Sequence, residues 1–143
     1  HQGYAYVEEN LEQLMSQALV PFQDGIDKGV QVIMVSHIAC PNVTGDNTPA
    51  TLSSVMITDV LRGQMGFDGM VMTDALNMGA ITSQYSSADA AVKALQAGVD
   101  MLLMPEDFES AFQGVLQAVS DGRLTEERID QSVERILRIK LSM

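Results

Sequence analysis

Apolar positions along the chain recur at two periods, and the change from one to the other sets out the elements. Leu11, Leu14, Met15, Ala18, Leu19 and Phe22 recur at helical spacing, which predicts an amphipathic helix from about Glu8 to Lys28, with Pro21 as its point of interruption and Gly29 as its end. Val30 to Ile38 then reads as a buried strand, and Cys40 to Pro49, with Pro41, Asn42, Gly45, Asp46 and Asn47, has the composition of a loop. Ser53 is placed to cap a helix carrying Val55, Met56, Val60 and Leu61. A second apolar run, Gly69 to Asp74, is followed by a helix with Ala90, Ala91, Ala94 and Leu95 inward, capped by Ser86 or Ser87 and closed by Gly98. Val99 to Met104 is the third predicted strand. Asp107 opens a helix expected to turn Phe108, Phe112, Val115 and Leu116 inward. After Gly122, Thr125 caps a last helix with an inward stripe of Ile129, Val133, Ile136 and Leu137, its basic residues gathered near the end that the helix dipole favours.

Strands alternating with helices imply an α/β fold with a parallel sheet, and no repeat, low-complexity stretch or long linker divides residues 1–143, so one domain is expected. The segment GFDGMVMTDALNMGAI, Gly66 to Ile81, carries the most chemical information. Its glycines punctuate a turn, Met70-Val71-Met72 suits a strand covered on both faces, and Asp74 falls where that strand leaves the core. In parallel α/β folds the C-terminal strand ends carry the chemistry. The plain alternative is a carboxylate that caps the next segment or holds a neighbouring loop.

Composition narrows the partners. Nineteen acidic residues against eight basic ones give a formal net charge of −11, which opposes phosphate backbones and anionic membrane surfaces and argues against nucleic acid. No run approaches a transmembrane span, and the start does not resemble a signal peptide. The lone cysteine, Cys40, rules out an intrachain disulfide and is expected to be a small, partly buried loop residue. His37, Asp74 and Asp107 lack metal-ligand spacing, so neither a metal nor a cofactor is expected. The Met-rich strands suit core filling by flexible side chains.

The order and spacing of VIMVSHI, PATLS, LRGQMGFDGMVMTDALNMGAI, AGVDMLLMP and RIDQSVERIL resemble the closing part of a family 3 glycoside hydrolase barrel, most closely its β-N-acetylhexosaminidase branch. The resemblance implies the last three βα units of a TIM-type (β/α)8 barrel. At 143 residues the chain is shorter than such a barrel, which takes about 250 residues, and it opens at His1 without an initiator Met, so a fragment, processed product or truncated form is expected. By the same resemblance Asp74 is the nucleophile of a retaining exo-β-N-acetylglucosaminidase acting on GlcNAc-terminated oligosaccharides or muropeptides. His1 stands about where that branch carries a catalytic His, here without the Asp that should precede it. His37 matches a His near the pocket floor and is expected to bond a strand-end carboxylate such as Asp74. Met78 is implied to line the sugar site. The resemblance further implies a bacterial protein, either cytoplasmic or exported, whose Lys-His pair and sugar-gripping Arg and Asp lie upstream. The alternatives are a β-glucosidase of the same family and a non-catalytic, self-associating fragment. Both outer strands would expose parallel edges, to be covered by the missing N-terminal half or by a second copy.

Overall fold

The computed structural model describes residues 5–143. In chain order the elements are β1 (Ala5–Tyr6), α1 (Leu11–Ser16), α2 (Val20–Asp27), β2 (Val32–Val35), β3 (Ile38–Ala39), α3 (Pro41–Thr44), a 3-10 turn at Ala50–Leu52, a π-helix at Val55–Gln64, β4 (Met70–Thr73), α4 (Gly79–Thr82), α5 (Ser87–Ala97), α6 (Phe108–Ser120) and α7 (Glu126–Ser142). β1 pairs with β3 and β2 with β4, both parallel, with Ile33 opposite Val71 and Met34 opposite Met72. A further parallel bridge joins Met72 to Met101. The described strands therefore form two parallel pairs, β1 with β3 and β2 with β4, the second pair continued by the Met101 segment, with helices packed behind it. Ile33, Val71 and Val99 are buried against Ile57, Val60, Leu61, Ile81, Ala90 and Ala94 from those helices. At about 25 cal/mol per Å² of apolar surface removed from water, this layer is the main source of stability.

Local chemistry explains the helix starts. Ser86, Asp107 and Thr125 each accept the backbone N–H three residues on, satisfying a donor the helix cannot. Ser53 does the same for Met56 N–H at 3.3 Å, at the entrance of the π-helix. Gly98 ends α5 at φ 112°, a conformation that side chains with a Cβ rarely adopt.

Several expectations are corrected. The first helix is two, broken at residues 17–19, so that Pro21 lies in the first turn of α2 where its missing N–H costs nothing. Asn10 and Gln13 form a capping box ahead of α1. The predicted Val30–Ile38 strand is pleated over Val32–Val35, and Ile38–Ala39 pairs instead with β1. The Cys40–Pro49 loop contains the turn of helix α3. The third strand is bridged only at Met101, since Asp100 and Met101 N–H both reach Val71 O and Leu103 N–H goes to Thr73 Oγ1 rather than a main-chain carbonyl.

The two C-terminal helices present faces other than the bulky ones expected. Phe108, Phe112 and Leu116 are exposed, Phe108 by 70 %, while α6 buries Ala111 and Ala118. The cause is close approach: a Cβ on Gly114 would lie 2.6 Å from Ala88 Cβ, so α5 and α6 meet through small residues and the rings are turned out. Phe108 and Phe112 stack on each other at 6.2 Å. In α7 the inward face is Arg128, Ser132 and Arg135, drawn to Asp100, which leaves Val133 and Leu137 exposed. No helix among the described residues is long and apolar enough to cross a membrane.

Candidate active site

Asp74 continues the β2–β4 ladder by one residue. Its N–H donates to Val35 O at 2.9 Å, after which the chain leaves the sheet. The alternation along β4 places Met70, Met72 and Asp74 on the sheet face opposite buried Val71 and Thr73. The Asp74 side chain is half-buried, and its Oδ1 accepts the N–H of Ala75 at 2.7 Å. Leu76 N–H donates to Leu103 O at 2.9 Å, tying the loop to the third strand. The carboxylate thus stands on a short loop fixed to both neighbouring strands, a placement with little conformational freedom to lose.

His37 is buried beside this loop. Its Nε2 lies 2.8 Å from Ala75 O and its Nδ1 2.6 Å from Thr51 Oγ1. The bond to the Asp74 carboxylate expected from sequence is not made, since the Thr51 hydroxyl and the Ala75 carbonyl occupy both ring nitrogens of His37. Met78 precedes α4, half-buried, with its N–H also on Ala75 O at 3.2 Å. His1 lies outside the described residues. Two residues escaped the sequence reading. Thr51, fully buried, sits in the PATLS segment whose spacing singled it out but gave no role. Met104, at the end of the third strand, is the one non-glycine with a left-handed φ, 47°, among the described residues, a conformation that costs about 1–2 kcal/mol.

Two apolar hollows flank the sheet, and Asp74 lines neither. One, of about 260 Å³, lies between α1, α2, β2 and the π-helix, walled by Phe22, Met34 and Ile57. The other lies between α5, α6 and the third strand, walled by Leu102, Met104 and Phe112. No group of three or more His, Cys, Asp or Glu among the described residues is arranged to hold a metal ion.

At the opposite end of the same strands Asp100 is enclosed by cations. Its Oδ2 accepts Arg62 Nη2 at 2.6 Å and Val71 N–H at 2.9 Å; its Oδ1 accepts Ser132 Oγ at 2.7 Å and Arg135 Nη1 at 3.1 Å. Arg128 stands 3.9 Å away and donates to Val99 O and Leu95 O. Burial pushes the Arg62 and Arg128 guanidinium groups below the ordinary arginine range, while Asp100 pulls them back up. This hub joins the π-helix, β4, the third strand and α7, and has no opening to solvent at the carboxylate.

Residues 1–139 match the family described as glycosyl hydrolase family 3 N terminal domain, and the chain belongs to that family. It is 38 % identical to a β-hexosaminidase of Chromobacterium violaceum over 76 % of its own length and 33 % of the relative's. It is 30 % identical to a β-N-acetylglucosaminidase/β-glucosidase of Cellulomonas fimi, over 87 % of its length and 24 % of the relative's. Among solved structures, the family 3 β-N-acetylglucosaminidase of Paenibacillus sp. str. FPU-7 superposes with a TM-score of 0.94 at 41 % identity, covering 97 % of this chain and 27 % of that one. The chain thus spans about a quarter to a third of the length of these relatives.

Proposed function

We propose that the chain supplies the nucleophilic face of a retaining exo-β-N-acetylglucosaminidase, with Asp74 as nucleophile, and forms the last three βα units of a (β/α)8 barrel. The observation that carries the reading is the Asp74 carboxylate at the C-terminal end of a parallel strand in a family 3 chain, backed by one peptide N–H and held between two strands. An Asp74 oxygen attacks the anomeric carbon as the bond to the departing oxygen breaks, and that oxygen takes a proton from an acid. Water then attacks the same carbon, gives its proton to that group and releases Asp74. His1 is assigned as the acid/base on the resemblance alone. Met78 lines the sugar site, and GlcNAc-terminated, peptidoglycan-derived sugars are the substrates.

The upstream half of the barrel, or a second copy, covers the open parallel edges of β2 and of the third strand. A β-glucosidase is the second reading, favoured by the double name of the Cellulomonas relative. The test is trapping of the complete enzyme with a 2-fluoro or 5-fluoro sugar followed by peptide mapping. The label is expected on Asp74, and Asp74→Asn should cut turnover by several orders of magnitude while the fold persists. A label on another carboxylate refutes the assignment.

A further inference from the structure

VSHI, PATLS and TDAL lie far apart in sequence, yet they meet in one chain of hydrogen bonds that starts at buried Thr51 and His37 and ends on the half-buried Asp74 carboxylate. PATLS folds as a tight turn behind the sheet, with Ala50, Thr51 and Leu52 all buried. Thr51 Oγ1 lies 2.6 Å from His37 Nδ1 and 3.0 Å from the Ser36 carbonyl. On the other side of the ring, Nε2 lies 2.8 Å from the Ala75 carbonyl. A carbonyl only accepts, so Nε2 carries a hydrogen. Nδ1 can then be served in two ways. With a neutral imidazole the Thr51 hydroxyl donates to Nδ1. With an imidazolium Nδ1–H donates to Thr51 Oγ1, whose own hydrogen goes to Ser36 O. Either way the bond from Nε2 to Ala75 is kept, because the hydroxyl is both donor and acceptor.

That bond matters for what it holds. The Ala75 carbonyl and the Leu76 N–H belong to one planar peptide. His37 grips its oxygen, and Leu103 O takes its N–H at 2.9 Å, so the plane is clamped between the outer strands. The preceding peptide donates its Ala75 N–H to Asp74 Oδ1 at 2.7 Å, and the one before that is tied to the neighbouring strand by Asp74 N–H on Val35 O at 2.9 Å. Asp74 Oδ2 takes no hydrogen bond among the described residues.

We infer that Thr51 and His37 are positioning residues for the nucleophile: together they fix the Ala75–Leu76 peptide, keep Ala75 N–H on Oδ1, and leave Oδ2 as the attacking oxygen. This rests on the assignment of Asp74 above. Neither residue touches the reacting atoms. A histidine buried merely to fill the core would influence melting and nothing else; a positioning histidine changes the rate at which Asp74 is glycosylated.

The experiment measures the rate of Asp74 labelling by the fluoro sugar, with kcat and KM for a chromogenic N-acetylglucosaminide, in the complete enzyme and in four variants whose melting is followed in parallel. His37→Phe and Thr51→Val remove the donors and should slow labelling and kcat by about 100-fold, the cost of roughly an ångström of misplacement, with KM within about threefold. His37→Gln keeps an N–H for Ala75 and Thr51→Ser keeps the hydroxyl, and both should recover labelling to within about tenfold of the parent. Folded His37→Phe or Thr51→Val enzyme that labels Asp74 at the parental rate overturns the inference and leaves the nucleophile standing. Should either fail to fold, the conservative pair decides: His37→Gln and Thr51→Ser that melt like the parent yet label about 100-fold more slowly would show that the retained N–H and hydroxyl do not serve. A label on another carboxylate in the unsubstituted enzyme overturns both assignments together.

Discussion

Replacing Asp100 by Asn keeps the shape of the side chain and removes its charge, which makes it the sharpest probe of what holds the strands to α7. The carboxylate has no solvent exposure, and each of its oxygens accepts two donors. An amide nitrogen in place of Oδ2 faces two donors, Arg62 Nη2 and Val71 N–H; in place of Oδ1 it faces Arg135 Nη1, while the Ser132 hydroxyl can turn to accept. Either way an arginine loses its acceptor, and hydrogen bonds to charged groups contribute about 1.5–3 kcal/mol each. The guanidinium groups of Arg62 and Arg128 also lose the charge that offsets their burial. The sum, about 3–5 kcal/mol, agrees with the cost of breaking a buried ion pair by removing one partner. It is a large part of the 5–15 kcal/mol or so that a domain has in total. Urea unfolding of the complete enzyme followed by far-UV circular dichroism measures the loss, and a cycle with Arg62→Met should show a coupling of about 1–3 kcal/mol between the two positions. A loss below about 1 kcal/mol with no coupling would refute the reasoning, since the pair would then be behaving like a screened surface bridge.

Three further outcomes are expected. Cys40 is buried, and burial, with Glu9 nearby, pushes its thiol up. The folded state therefore favours the protonated thiol, so this contribution to stability is complete below the unfolded pKa and lost as pH rises through the folded one; a maleimide should label Cys40 quickly only in denaturant, and fast labelling of native protein contradicts this. Thr125→Ala should cost about 1 kcal/mol by leaving Arg128 N–H without its cap, measured by the shift in urea midpoint, and an unchanged midpoint would show the cap to be idle. The 143-residue chain alone should associate through its exposed apolar faces and hydrolyse no N-acetylglucosaminide; a monodisperse 15.5 kDa species that unfolds cooperatively counts against it.

What the sequence disclosed was local. The caps at Ser86, Asp107 and Thr125 and the stop at Gly98 rest on residues within one turn of each other, so spacing alone exposes them. The strand expected over Gly69 to Asp74, found as Met70–Thr73, was legible for the same reason: a glycine turn, a short apolar run and a carboxylate follow in order. What stayed hidden depends on topology. Nothing in Phe108, Phe112 and Leu116 tells that α5 is alanine-lined and lets Gly114 come close, so their bulk does not bring burial. From sequence His37 reads as a partner of Asp74, whereas its deciding partners, Thr51 and Ala75, come from a turn and a loop brought together only by the parallel crossover.

Asp74 and Asp100 show how far position overrides residue type. Both are aspartates on or beside adjacent parallel strands, and both stand next to short apolar runs rich in methionine. Asp100 lies where the strands begin, beside the carbonyls of Gly69 and Gly98 that Arg62 also bonds, and three arginines and a serine close over it. Asp74 lies where β4 ends, is held by one backbone N–H of its own loop, and keeps an oxygen without a hydrogen bond among the described residues. A carboxylate saturated by cations is a poor nucleophile and a strong structural tie; one that is fixed but unsaturated can attack. In a parallel sheet the start of the strands is covered by returning helices, whereas the loops at their ends are open to variation. On the assignment proposed for Asp74, the same side chain stabilises at one end of the sheet and serves chemistry at the other, and the hydrogen-bond inventory of each is what supports giving them different roles.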